Sequence, residues 1–70
     1  MPEFNSKVSY NLKVAMAKAD MTPKRLAEKS GVNYGGINSY LRGDTIPLLE
    51  TACKLAEALG CSPNDLCGIE

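Results

Sequence analysis

The side chains of this 70-residue chain best suited to chemistry are hydroxyls, amides and cations lying between positions 13 and 45, and no histidine stands among them or anywhere else. The usual general base is therefore missing, and no carboxylate pair is set in a pattern suited to acid–base work. Gly35-Gly36 lies among polar residues and does not follow a strand, so it does not read as a phosphate-cradling or dinucleotide motif. Three cysteines remain, Cys53, Cys61 and Cys67. A four-ligand zinc site would need a carboxylate or a second chain, and an odd count without secretory features speaks against a disulfide framework. The cysteines read as reduced, small hydrophobes. No enzyme activity, no metal and no cofactor is expected. What is left is binding chemistry, carried by Thr22, Asn33, Tyr34, Asn38, Ser39 and Thr45 with the cations Lys13, Lys24 and Arg42.

Net charge is formally zero, which read globally does not suit a nucleic-acid binder. Its distribution is polarised. Residues 1–43 hold seven basic side chains against three acidic ones, whereas residues 44–70 hold one basic against five acidic. Single lysines commonly do no more than solvate a helix face, but the asymmetry as a whole favours attraction to phosphate.

The elements that must position these groups are helical. Thr22 is a good N-cap and Pro23 suits the first helical position. Leu26 and Ala27 share one face of the helix that follows, and Gly31 supplies the left-handed residue that ends it. Asn33 caps the next helix, where Ile37, Tyr40 and Leu41 mark the buried side and Gly43 the close. Two short helices separated by a tight glycine turn make a helix-turn-helix. Upstream, a helix from about Ser6 to Ala19 carries Val8, Leu12, Ala15, Met16 and Ala19 as an apolar stripe, and Asp20 falls in the turn. Downstream, Pro47 suits the first turn of a fourth helix that runs to about Leu59 and buries Leu48 or Leu49 together with Ala52, Leu55, Ala56 and Leu59. Gly60 stops it, and Ser62-Pro63-Asn64-Asp65 repeats the cap, proline and acid of a helix start, giving a fifth helix to Cys67. Residues 1–5 are expected to be a frayed N-terminus or a cloning remnant, 6–67 the folded domain and 68–70 a short tail. No apolar run approaches the roughly 20 residues of a membrane span and no signal-peptide pattern opens the chain, so a soluble cytoplasmic protein without membrane partners is expected.

From about Leu12 to Leu66 the sequence resembles the Cro/cI-type (XRE-like) helix-turn-helix domains of phage repressors and bacterial regulators. The resemblance rests on Met21-Thr22 with Leu26-Ala27, Gly31-Val32, Ile37, Arg42-Gly43, Pro47, Leu55-Ala56 and Ala58-Leu59-Gly60 followed by Ser62 and Leu66. It implies an all-α, compact five-helix, lambda-repressor-like bundle that binds double-stranded DNA. The implied function is sequence-specific transcriptional regulation, most simply repression, with helix 33–42 inserted into a major groove about 12 Å wide. The alternative is a protein-interaction module on the same scaffold that has lost specific DNA reading. No small-molecule ligand is evident.

In the reading geometry the helix before the turn crosses the backbone, which makes Thr22, Pro23 and Lys24 phosphate-facing. The resemblance adds Asn33 as a phosphate anchor. Tyr34, Gly35, Asn38 and Ser39 would face base edges, and Arg42, Thr45 and Lys13 would flank the groove. Gly35 and Gly36 stand where the family often has long amides or arginine; the pair either loosens the first turn or lets backbone approach DNA closely. The family also often pairs a buried arginine on its first helix with a glutamate near the end of its third. Met16 and Leu41 occupy those positions, and an apolar contact between them would avoid the desolvation cost of such a pair. Related domains self-associate through the surface beyond the fourth helix, which here points to Cys61, Pro63, Cys67 and Ile69 and to a homodimer on a palindromic site with half-sites roughly 34 Å apart.

Overall fold

A computed structural model describes the backbone of residues 2–67 and the side chains of residues 6–66. Five helices follow in order, α1 (Pro2–Lys18), α2 (Pro23–Ser30), α3 (Tyr34–Arg42), α4 (Leu49–Leu59) and α5 (Pro63–Cys67), with no strand among the described residues. The main packings close into a ring in which α1 lies on α3 and α5, α2 on α3 and α4, and α4 on α5. Leu12, Leu26, Ile37, Leu55 and Leu66, one from each helix, are fully buried at the centre. Ala56, Ala58 and Met16 complete the cluster. Leu41 packs against the same cluster that holds Met16.

Local chemistry sets the ends. At the close of α1 the Met21 amide donates to the Met16 carbonyl and the Asp20 amide to that of Ala17. This is a Schellman closure with Asp20 in the left-handed region at φ 53°. Gly43 and Gly60 close α3 and α4 in the same manner, with the Asp44 amide on the Ser39 carbonyl and the Cys61 amide on that of Ala56. At the start of α5 the Asp65 amide donates to Ser62 Oγ while the Ser62 amide donates to the Asp65 carboxylate, a reciprocal capping box.

Two expectations give way. The first helix starts at Pro2, four residues before Ser6, with a proline again at a helix start. Pro47 lies outside α4 rather than in its first turn: Leu48 is the N-cap residue, extended at φ −64° and ψ 160°, and Leu49 is the first helical residue. Leu48 and Leu49 are 78% and 76% exposed, so neither is buried. The apolar period does extend back to them from Ala52, but period fixes which residues share a face and not whether another element covers it. Among the described residues no helix is long and apolar enough to cross a membrane.

Candidate nucleic-acid interface

Two capped helix starts and one helix face make the candidate site. Thr22, extended at φ −87° and ψ 161°, accepts from the Arg25 amide at 3.2 Å through Oγ1, which opens α2 with Pro23 in its first turn. The Gly31 amide then donates to the Ala27 carbonyl at 3.0 Å and Gly31, at φ 76°, turns the chain. The Val32 amide donates to Ser30 Oγ, so the turn between the helices is tied at both ends. Asn33 starts α3 by accepting from the Gly35 amide at 2.8 Å and the Gly36 amide at 3.3 Å through Oδ1 alone. Its Nδ2 is a further donor group, and the residue is exposed.

Ile37 is the fully buried anchor of α3, and Tyr40 and Leu41 pack beside it at the edge of the core. Elsewhere on the helix Tyr34, in the first turn three positions before Ile37, is 52% exposed, Gly35 is exposed, and Asn38 and Ser39 are half-buried. None of the four residues expected to face bases is fully buried. The expected phosphate-facing side chains Thr22, Lys24, Arg42, Thr45 and Lys13 are exposed, and Pro23 is half-buried. Lys13 of α1 and Asn38 and Arg42 of α3 line one open groove between the two helices, which brings residues 25 or more apart in sequence to one edge.

The two glycines have distinct surroundings. A Cβ on Gly35 would stand 3.1 Å from Asn33 Oδ1, so glycine there leaves room for the cap. A Cβ on Gly36 would meet only the ring and hydroxyl of Tyr40, at 3.7 Å and beyond, which is ordinary contact.

Three participants were not anticipated from sequence. Asp44 accepts from Arg42 Nε at 2.8 Å, and Arg42 Nη2 reaches Ser39 Oγ at 3.4 Å. The cation at the end of α3 is thus held against an acid, in an exposed pair of the kind that contributes about 0–1 kcal/mol and exchanges easily for another anion. Ser9 is buried on α1 and its hydroxyl donates to the Leu41 carbonyl in the last turn of α3. Asn11, further along α1, donates from Nδ2 to the Leu66 carbonyl at 3.2 Å. Ser9 sits within the apolar stripe of α1, and a hydroxyl in such a stripe is the one sequence signal for this tie.

Of the residues expected to form a dimer surface, Cys61 and Pro63 are half-buried at the corner between α4 and α5, with Cys61 packed against the core. Burial raises the Cys61 thiol pKa above its ordinary value, with the Asp65 carboxylate adding to the shift. The Cys67 side chain and Ile69 lie outside the described residues.

No curated protein and no solved structure matches the chain. A helix-turn-helix family model matches residues 12–66, the stretch from the middle of α1 to the core leucine of α5. The chain belongs to the XRE-like, Cro/cI-type helix-turn-helix family of DNA-binding domains.

Proposed function

We propose that the protein is a sequence-specific transcriptional repressor that places α3 in the major groove of a palindromic operator as a homodimer. One observation carries this reading: α3 opens with the exposed Tyr34 and Gly35, keeps Asn38 and Ser39 only half-buried, and through Asn38 and Arg42 shares an open groove with Lys13. In this reading Asn38, as an amide, would pair with adenine, and Tyr34 would touch a thymine methyl or a phosphate. Thr22 and Asn33 hold the first turns of α2 and α3, whose amides and positive dipole ends favour phosphate. Arg42 exchanges Asp44 for a phosphate oxygen on binding, which removes the acid's screening of the one cation on α3.

Selection of bound sequences from a random duplex pool at two salt concentrations tests the reading. The expected result is an enriched palindrome whose affinity falls steeply with salt. Arg42→Ala should reduce the salt slope by about one and weaken binding across all sequences, while Asn38→Ala should relax preference at one position. Binding that is uniform across sequences, or absent, would leave the scaffold as a protein-interaction module.

A further inference from the structure

Among the described residues one polar side chain is buried, that of Ser9 on α1, at 6% exposure. Its neighbours on the helix, Val8 and Leu12, are core residues, so a serine here gives up apolar burial. What it supplies instead is a hydrogen bond. The last carbonyls of a helix have no partner inside it. In α3 the Ser39 and Tyr40 carbonyls accept from the Asp44 and Gly43 amides of the closing turn, at 3.0 and 3.1 Å, and the next carbonyl, that of Leu41, accepts from the Ser9 hydroxyl. Three successive groups at the end of α3 are thus satisfied, the first two by the chain's own turn and the third by a different helix.

A bond between helices does what apolar packing between them does not. Leu12, Met16 and Ile37, with Leu41 beside them, belong to one apolar cluster, whose attraction has no direction of its own. A hydrogen bond weakens steeply as its angle departs from the optimum, so it fixes where one helix stands along the other. The place it fixes is the candidate site. Lys13 follows Ser9 by one helical turn, Asn38 precedes Leu41 by one turn, and Arg42 follows Leu41 directly, so the bond lies beside all three. The five residues line the same open groove. Asn11 makes a bond of the same kind from α1 to the Leu66 carbonyl of α5, and it lines a different cleft. The molecule therefore contains its own control.

We infer that Ser9 is a positioning residue for α3: its hydroxyl sets the last turn of that helix against α1, and with it the places of Asn38 and Arg42 beside Lys13. The inference rests on the operator reading for what those residues touch, whereas the placement itself is measured on the free protein. Without DNA, Ser9→Ala should shift the Leu41 carbonyl carbon resonance and speed amide exchange at Gly43 and Asp44 about tenfold beyond any change at Gly31, which ends α2. Asn11→Ala should give no such excess. On DNA, a protein that is merely less folded loses affinity for every duplex by the same factor, so its base preferences keep their ratios. Ser9→Ala should instead lower preference about tenfold at the position that Asn38→Ala relaxes, while the remaining positions keep theirs. Asn11→Ala should keep every ratio. Ser9→Cys, a weaker donor in the same place, should show the same changes in smaller degree, and it carries the test if the alanine protein does not fold. Equal exchange at the end of α3 in the Ser9 and Asn11 variants, or unaltered base ratios in Ser9→Ala, would overturn the positioning role and leave only a bond that stabilises. No selected duplex for any of the proteins, with the carbonyl and exchange changes as expected, would instead overturn the operator reading and leave the placement of α3 standing.

Discussion

The starts of α3 and α4 are built from opposite materials. Asn33 opens α3 with one oxygen shared between two amides, beneath an exposed polar arc. Leu48 opens α4 with a side chain that has no hydrogen-bonding group, followed by another exposed leucine. A polar start can meet a hydrated, charged partner without penalty, whereas an apolar one gains only when water is removed from it. The difference teaches that one molecule of this size presents two unlike surfaces within sixteen residues of each other.

The comparison can be broken most forcefully at the anchor that keeps α3 in place. Ile37→Ala should destabilise the domain by about 2–5 kcal/mol, measured by denaturant unfolding, because the side chain is completely buried and its loss leaves a cavity. If α3 were held only by its ties to α1, the change would be far smaller. Next in size are the two caps, which should respond with opposite signs. Asn33→Ala should cost about 1 kcal/mol, and Leu48→Ser should add about 0.5–1 kcal/mol, a rise of several degrees in Tm for a domain of this length. Equal effects would mean that the two starts do not differ as described.

The glycines sharpen the picture of α3 further. Gly36→Ala should stabilise by up to about 1 kcal/mol, since the new methyl meets only Tyr40 at ordinary contact distance. Gly35→Ala should gain less, because its methyl crowds the Asn33 oxygen. A stabilised Gly36→Ala protein that binds its duplex less well would show that glycine serves close backbone approach.

The smallest effect concerns the thiols. Cys61 should be alkylated more slowly than the exposed Cys53 under native conditions, as read by peptide mass mapping. Its thiol pKa is raised by burial, then by Asp65, so the fold holds that proton more tightly than the unfolded chain does. The associated stability is fully present below the thiol's ordinary pKa and is lost as pH rises through the folded value, so Cys61→Ser should flatten any alkaline loss of stability above about pH 9.

Local chemistry was the legible part of this chain. Thr22, Gly31, Asn33, Gly43, Gly60 and the Ser62–Asp65 pair each act within a few residues of themselves, so their types and spacing announce the helix ends the fold contains. Ile37 and Leu26 were legible because helical period alone turns them inward. The same rule misplaced Leu48 and Leu49, since period says which residues share a face and not whether another helix covers it. Ser9 and Asn11 were hidden for a related reason, because their acceptors, the Leu41 and Leu66 carbonyls, are 32 and 55 residues away. Asp44 was hidden by the turn at Gly43, which folds the chain back so that a residue two positions on reaches Arg42. In the candidate site the polar and cationic residues were readable, and the intramolecular partner that holds the arginine in the free protein was not.

The two side-chain ties of α1 carry one more implication. A single rod is bonded near its middle, at Ser9, to the last turn of α3 and, two residues later, to the last described turn of the chain. A strain applied at α5 would therefore reach α3 through the same splint, by way of Asn11 and Ser9 of α1.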